Sequence, residues 1–190
     1  AIEICKYVDA SLNVKFTYTD GAVIENTPLC VGVIEGRLSS ILKAERVLLN
    51  CMQRMSGIAT LTSKYVEKLK GYPCKLLDTR KTTPNFRLLE KEAVRIGGGV
   101  NHRFGLFDMI MLKDNHIDFA GGITLAIAKT KDYLKANNLD LKIIVEARDL
   151  DEIKEILESD GVHRILIDNF NYEDTRKAVS MIGDKCRWVF

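Results

Sequence analysis

The sequence predicts an α/β protein, with a small sheet-containing N-terminal domain followed by a domain of parallel strands and helices. Three features of the chain support this fold class. Short alternating segments precede Gly36, a long apolar stripe at helical spacing follows Arg37, and beyond Gly71 short apolar runs alternate with helical stretches. Such alternation is typical of βα units that build a parallel sheet or barrel. We expect residues 1–44 to form the N-terminal domain and residues 45–190 the barrel domain.

In the N-terminal part, residues 1–8 have the apolar spacing of a helix. Residues 14–18 alternate as a strand does, Asp20-Gly21 supplies turn residues, and residues 22–24 resume as a second strand. Residues 30–34 are a third strand candidate. These segments predict a small sheet packed with one helix.

The next segment is predicted to be helical from Arg37, with a second amphipathic run at residues 58–69 after Ser56-Gly57. Glu45 interrupts the stripe, and we favour a structural ion pair over catalysis for it because unpaired buried charge is costly. Arg46 points off the stripe and is free to serve another purpose. The apolar residues that define the first run are Leu38, Ile41, Leu42, Leu48, Leu49, Met52 and Met55.

The remaining residues predict a parallel sheet with outer helices. Asp149 begins one helix with an acidic capping box, and Asn171 caps another. The short apolar runs that we predict to be strands are residues 76–77, 109–112, 143–145, 165–167 and 188–190.

Ionisable side chains follow four of these runs directly. At any single position, such a charge most simply marks the point where a strand leaves the core. Four successive strands that end in ionisable groups favour a functional site instead, because residues from several strand ends converge at one face of a βα barrel. The residues concerned are Asp78 with Arg80 and Lys81, Lys113 with Asp114, Glu146, and Asp168.

The residue types indicate a binding site for anions. Arginine pairs with carboxylates or phosphates through two hydrogen bonds, and lysine acts as a point charge. Glu146 and Asp168 supply hard oxygen ligands of the kind that Mg²⁺ accepts while it bridges to a phosphate-bearing substrate. A polyanionic, magnesium-bound ligand is therefore expected. The cationic candidates are Arg80, Lys81, His102, Arg103 and Lys113.

Composition excludes several other classes of protein. The net charge is only +2, from 28 Lys and Arg against 26 Asp and Glu, so nucleic acid is not the expected partner. Five widely spaced cysteines without a Cys-x-x-Cys pair fit neither a disulfide framework nor a zinc site. No apolar run approaches the roughly 18 residues of a membrane span, and the first residues lack the basic and apolar regions of a secretion signal. We expect a cytoplasmic protein that does not bind membranes.

Longer motifs resemble the quinolinate phosphoribosyltransferase family, whose members are the carboxylating nicotinate-nucleotide pyrophosphorylases. The similarity extends over nearly the whole chain. The stretches that carry it are residues 45–50, 55–60, 77–84, 97–108, 113–117 and 167–169.

The resemblance implies transfer of a phosphoribosyl group from phosphoribosyl pyrophosphate to quinolinate, with loss of CO₂ and pyrophosphate. The product would be nicotinate mononucleotide, for NAD synthesis. It implies Mg²⁺ at Glu146 and Asp168, held in part through substrate phosphates, and catalytic roles for Lys81, Lys113, Glu146 and Asp168. The residues matching the family's substrate-binding positions are Arg46, Thr79, Arg80, Lys81, Arg103, Lys113, Glu146 and Asp168, with His102 beside them.

The resemblance also implies an assembly. In the family, two subunits pair head to tail, so Arg46 would complete the site of a partner in a homodimer or a higher even oligomer. The family continues beyond the Asp168 helix to a Ser-Gly-Gly phosphate-binding motif, whereas this sequence stops at Phe190. The expected fold is thus an incomplete (β/α) barrel. Two alternatives stay open, an inactive truncated barrel with a binding or structural role and a related barrel that acts on another anion.

Overall fold

A computed structural model describes residues 1–189 of the chain, and Phe190, the last residue of the fifth predicted strand, lies outside them. The described chain divides into two compact units, Ala1–Phe104 and the residues from Gly105 onward. The helices are α1 (Ile2–Val8), α2 (Leu38–Lys68), α3 (Arg87–Ile96), α4 (Asp114–Ala120), α5 (Ile123–Ala136), α6 (Leu150–Glu158) and α7 (Tyr172–Ile182). The strands are β1 (Asn13–Phe16), β2 (Gly32–Glu35), β3 (Ile110–Leu112), β4 (Ile143–Ala147), β5 (Val162–Ile167) and β6 (Arg187–Val189).

The first unit begins with a two-stranded antiparallel sheet of β1 and β2, in which Asn13 pairs with Glu35 and Phe16 with Gly32. The prediction of a strand at residues 22–24 is wrong. That segment is an exposed loop in which Val23 keeps 84% of its surface accessible, so it offers the sheet no apolar face to bury. The strand after the loop pairs with β1 instead.

A single long helix, α2, replaces the two predicted amphipathic runs. Gly57 lies inside it, because one glycine in a helix costs only about 1 kcal/mol, which packing along the rest of the helix can offset. The side that packs inward carries Ala44 and Leu48, together with Cys5 of α1. Glu45 is exposed on a different side and forms no ion pair with any described residue, so the expected structural pair is absent.

The end of α1 is fixed to the start of α2 by Asp9. The Ser40 hydroxyl donates to Asp9 Oδ2 at 2.7 Å, and the Ser11 hydroxyl donates to Oδ1 at 2.6 Å. The Ser11 hydroxyl, followed by the Ser40 hydroxyl, the Ser11 amide and the nearby charge of Arg37, holds the pKa of Asp9 at about 2, below its ordinary value of 3.8. The carboxylate therefore stabilises this junction in its charged form.

The predicted strand at residues 76–77 is reduced to one parallel bridge, between Leu77 and Val100. The glycines before Val100 form the turn that ends α3. Gly97 is needed for close packing, since a Cβ there would lie 2.5 Å from the carbonyl oxygen of Ala59 in α2.

The second unit is built on a four-stranded parallel sheet with the order β3-β4-β5-β6. All of β4 is buried, and α5, α6 and α7 contribute to the apolar core that covers one face of the sheet. Both predicted caps are confirmed, because Asp149 accepts from the amides of Asp151 and Glu152, and Asn171 accepts from the amide of Asp174. The largest buried members of this core are Ile123, Ile153, Ile156, Ile165, Ile167 and Ile182.

The predicted α/β class is confirmed by the small antiparallel sheet and the parallel sheet. The division of domains after residue 44 falls within α2 and stays a prediction. No helix among residues 1–189 has both the length and the apolar character needed to cross a membrane.

Candidate active site

The loop that follows Leu77 is joined to residues 101–102 by the side chain of Asp78. Its carboxylate accepts hydrogen bonds from the Asn101 side chain and, at 2.7 Å, from the backbone amide of His102. It also forms an ion pair with Lys91 of α3, and both side chains are only 5% exposed. Asp78 thereby brings together residues 79–81 and residues 101–103, the two stretches that carry most of the predicted cationic residues. We call residues 78–83 and 100–104 the cationic loop cluster.

A second buried carboxylate, Glu90 of α3, fixes the far end of this loop. Arg54 of α2 donates to Glu90 Oε1 at 2.7 and 2.9 Å and to the Thr83 hydroxyl at 2.9 Å. The Thr83 amide donates to Glu90 Oε2 at 3.2 Å. Burial raises the pKa of Glu90, but the hydrogen bonds from Thr83 and Arg54 outweigh it and hold this pKa below its ordinary value. The charged form of Glu90 is thus the one that the loop requires.

Arg87 at the start of α3 crosslinks the two halves of the cluster. Its guanidinium donates to the Thr82 hydroxyl at 3.2 Å, to the Arg80 carbonyl at 3.3 Å and to the Phe104 carbonyl at 3.1 Å. Since all three acceptors belong to loop residues, this arginine organises the backbone on which the other cations are carried.

The predicted binding residues of the first loop lie at the surface of this framework. Lys81 is exposed, and its amide donates to the Thr79 hydroxyl at 3.0 Å in a local turn. Arg80 is half-buried, and its Nε is buried without a hydrogen-bond partner among the described residues. A buried guanidinium nitrogen of this kind is costly unless a ligand pairs with it.

His102 and Arg103 occupy the second loop of the cluster. Arg103 is 7% exposed, and its backbone amide donates to His102 Nδ1 at 2.7 Å. Thr79, Arg80, Lys81, His102 and Arg103 therefore share one hydrogen-bonded framework. Arg46 lies elsewhere in the first unit, exposed on α2 without an ion pair to another described residue.

The second unit carries the other predicted residues at the carboxyl ends of its strands. Lys113 follows β3, and its Nζ lies 3.2 Å from Glu146 Oε2 on the neighbouring strand β4. Only 9% of the Glu146 side chain is exposed, whereas 47% of the Lys113 side chain is. The Lys113 amide donates to His116 Nδ1 at 3.0 Å, which fixes the turn into α4.

Asp168 stands at the end of β5, next to β4. Its amide donates to the carbonyl of Ala147 at 3.1 Å, so it lies beside the residue that follows Glu146. Its Oδ2 accepts from the Asn169 side chain at 2.8 Å, and Asn169 has a positive φ of 56° at the point where the chain turns away. Lys113, Glu146 and Asp168 thus lie on three consecutive strands of one sheet.

These two carboxylates fit a magnesium ion that is held largely by a substrate. Among residues 1–189 there is no cluster of three or more His, Cys, Asp or Glu that could hold a metal ion by itself. Mg²⁺ is usually bound through one or two carboxylates, with phosphates and water completing its six ligands. Glu146 and Asp168 meet this requirement in number and type.

One cavity of the second unit is separate from these residues. It has a volume of about 330 Å³ and lies at the starts of α6 and α7. Neither Glu146 nor Asp168 contributes to its wall, which carries the capping residues Asp149 and Asn171. We therefore assign the candidate site by its chemistry and not by this cavity.

Sequence reasoning missed the residues that hold the cationic loop cluster in place. The predicted site residues did not include Lys91, Glu90, Arg87 or Arg54. Asp78 was noted only as a charge at the end of a predicted strand. One signal was present, because α3 carries charged residues at five of its ten positions, so that some of them must face inward.

Two protein-family models match the chain. The model described as "Quinolinate phosphoribosyl transferase, N-terminal domain" matches residues 1–56, and the model described as "Quinolinate phosphoribosyl transferase, C-terminal domain" matches residues 58–189. A relative from Arabidopsis thaliana, named nicotinate-nucleotide pyrophosphorylase (carboxylating), chloroplastic, is 48% identical over 171 residues. This match covers 87% of the chain and 48% of the relative, so the chain spans about half the length of that protein.

Solved structures agree with these matches. NadC from Streptococcus pyogenes is 40% identical, with a TM-score of 0.87 over 98% of this chain and 65% of its own. The nicotinate-nucleotide pyrophosphorylase from Francisella tularensis is also 40% identical, with a TM-score of 0.89 over the same shares. The chain belongs to the quinolinate phosphoribosyltransferase family.

Proposed function

We propose that this chain transfers the phosphoribosyl group of phosphoribosyl pyrophosphate to quinolinate, with loss of CO₂ and pyrophosphate, to give nicotinate mononucleotide for NAD synthesis. The observation that carries the proposal is the cationic loop cluster. In it, one buried carboxylate, Asp78, joins the loop of Arg80 and Lys81 to that of His102 and Arg103. Membership of the family and the names of the relatives support the same reaction.

The first unit would bind quinolinate. Two carboxylates on one small ring require several cations close together, and Arg80, Lys81 and Arg103 supply them from a single framework. Arg103 is the most buried of these side chains, so its charge is the least screened by water. In this proposal, Thr79 keeps Lys81 in its turn and His102 adds a hydrogen bond.

The second unit would bind the phosphoribosyl substrate through Lys113, Glu146 and Asp168. The carboxylates of Glu146 and Asp168 would repel a dicarboxylate, but they can accept hydrogen bonds from ribose hydroxyls or hold the metal ion. The Lys113 ammonium, which lies beside Glu146, would stabilise the negative charge that develops on the leaving group. Bound Mg²⁺ would supply charge neutralisation at the pyrophosphate leaving group. After the pyridine nitrogen attacks the anomeric carbon, the ring carries a positive charge that accepts the electrons left by the departing CO₂. The protein's main task is then positioning.

Calorimetry and product analysis would test this assignment together. Quinolinate should bind the chain, and Arg103→Ala should weaken it by about 2–5 kcal/mol, the range for truncating one partner of a buried charge pair. Asp168→Asn should spare quinolinate affinity but raise the concentration of phosphoribosyl pyrophosphate or Mg²⁺ needed for activity. Asp118→Asn, at an exposed carboxylate paired with Arg148, serves as the control. Unchanged quinolinate binding by the Arg103 variant would overturn the assignment.

The proposal includes a homodimer or higher even oligomer, in which Arg46 completes the quinolinate site of a partner subunit. Its position supports this role, because it is exposed on α2 and forms no ion pair with another described residue. A cytoplasmic location also belongs to the proposal, and fractionation of the source cells would test it.

A further inference from the structure

Two arginines lie side by side near the amino end of the parallel sheet. Arg164 of β5 is paired in register with Arg187 of β6. Neighbouring strands are about 4.8 Å apart, and residues paired in parallel strands point to the same face of the sheet. Ile165, the next residue along β5, belongs to the apolar core that the helices cover, so both arginines point to the opposite face.

A β-bulge in β5 produces this orientation. Val162 pairs with Ile143 of β4 and Arg164 pairs with Ile144, so His163 is an extra residue between them. Without it, the alternation that begins at Val162, which packs against the core, would turn Arg164 towards the core as well. Bulges re-aim side chains in this way and are frequent beside functional sites.

The charge of this arginine pair is not compensated within residues 1–189. No carboxylate of these residues forms an ion pair with Arg164 or Arg187. Arg164 Nε is buried without a hydrogen-bond partner among them, which is costly for a guanidinium nitrogen. Burial and then repulsion from Arg187 lower the pKa of Arg164 below its ordinary value, while the Cys186 sulfur acts in the opposite direction.

Two more basic residues surround the pair. Lys142 directly precedes β4 and is exposed. The pKa of the His163 imidazole is lowered by burial and then by the charges of Lys142, Arg164 and Arg187. All three charges act on the ring in the same direction, so they converge on one region of the sheet. We call Lys142, His163, Arg164 and Arg187 the amino-end cluster.

We propose that the amino-end cluster binds a phosphate group, with Arg164 and Arg187 as its main ligands. A guanidinium binds an oxyanion through two parallel hydrogen bonds, and two guanidiniums on neighbouring strands can share one phosphate. A phosphate dianion balances the charge of both arginines, which a single carboxylate does not. Because Arg187 is exposed, the ion can reach the buried Nε of Arg164 from solvent.

This site is independent of the proposed reaction. Lys113, Glu146 and Asp168 lie at the carboxyl ends of β3, β4 and β5, whereas the amino-end cluster lies towards the other end of the same sheet. The phosphate that it binds is therefore a second ligand of the chain, and its binding does not require quinolinate.

Titration with inorganic phosphate, followed by NMR of ¹⁵N-labelled arginine, tests the site. Arg164→Met and Arg187→Gln assign the two Nε signals, which should shift together and give one dissociation constant at constant ionic strength. Each variant should weaken this binding about 10- to 100-fold, as read from the remaining arginine, which is the range for hydrogen bonds to a charged group. Arg176→Gln, at an exposed arginine of α7, is the matched control and should leave the dissociation constant unchanged.

Thermal unfolding gives a second readout. Phosphate should raise the midpoint of the original chain and of Arg176→Gln more than that of Arg164→Met, at equal ionic strength. Phosphate that binds at other cations of the chain stabilises all of these variants alike, so only the difference reports on the amino-end cluster. If Arg164→Met fails to fold, Arg187→Gln supplies the same comparison, because its side chain is exposed.

The two experiments have a clear negative result. Nε signals of Arg164 and Arg187 that shift no more than that of Arg176 would overturn the proposal, as would equal stabilisation of the original chain and both cluster variants. Ribose 5-phosphate, used as a second probe, distinguishes the sources of the ligand. Shifts of the same two signals would extend the site to phosphate esters, whereas shifts with inorganic phosphate alone would identify the free ion.

Discussion

Replacing Lys91 with methionine should destabilise the first unit more than any exposed lysine replacement. Methionine keeps the length and apolar stem of the side chain but removes its charge, so Asp78 loses its ion-pair partner while only 5% exposed. Removing one partner of a buried pair costs about 3–5 kcal/mol. Asn101 and His102 still donate to Asp78, which places the expected loss in the free energy of unfolding near the lower value, about 3 kcal/mol.

Urea unfolding followed by far-ultraviolet circular dichroism would measure this loss. With an m-value of about 2 kcal/mol/M, the midpoint should fall by about 1.5 M. Hydrogen exchange should increase in α3 and in residues 100–104, where the lost contacts lie. The matched control is Lys154→Met, whose pair with Asp151 has side chains 61% and 88% exposed, so that its loss should leave the midpoint nearly unchanged. Equal midpoints for the two variants would show that the Lys91 pair is not desolvated.

Three further predictions concern stability and assembly. Serine hydrogen bonds hold the pKa of Asp9 at about 2 in the folded chain, against an ordinary pKa of 3.8. The carboxylate therefore stabilises the fold fully at a pH above 3.8, and this stabilisation is lost as the pH falls through the folded pKa of about 2. The thermal midpoint of Asp9→Asn should thus decline less steeply than that of the original chain as the pH falls from 3.8 to about 2. An equally steep decline would refute the effect. Gly97→Ala should cost about 1–3 kcal/mol through overpacking, whereas Gly57→Ala, with open space around it, should stabilise α2 by about 0.5–1 kcal/mol, both measured by urea unfolding. Finally, Arg46→Ala and Asp168→Ala subunits should each be inactive but regain activity when mixed; a mixture that stays inactive after verified subunit exchange would exclude action across an interface.

The second unit could be predicted closely because its strands are short, apolar and punctuated. The run at residues 143–145 corresponds to β4, and the caps at Asp149 and Asn171 lie where side-chain oxygens were expected to accept helix amides. These signals are local, so neighbouring residues alone determine them. The predicted strand ends consequently place Lys113, Glu146 and Asp168 correctly.

The first unit was harder to predict because its order depends on contacts between distant residues. Residues 22–24 have the composition of a strand, yet β1 pairs with a later segment that can bury apolar side chains. Ser56-Gly57 looks like a break, yet packing along α2 carries the helix through it. In both places, contacts between distant residues outweighed the structural preference of the local sequence.

The cationic loop cluster explains why a site for an anion contains buried carboxylates. Loops that carry several like charges repel one another, so they need fixed contacts to come together. Asp78 and Glu90 provide these contacts by accepting hydrogen bonds from the loops, and their own charges are balanced by Lys91 and Arg54, which lie on helices. Each carboxylate therefore acts on the loop backbone, through the amides of His102 and Thr83. Substitution of either carboxylate should consequently disorder the loop backbone at residues 78–83 or 100–104, which increased hydrogen exchange of these residues would show.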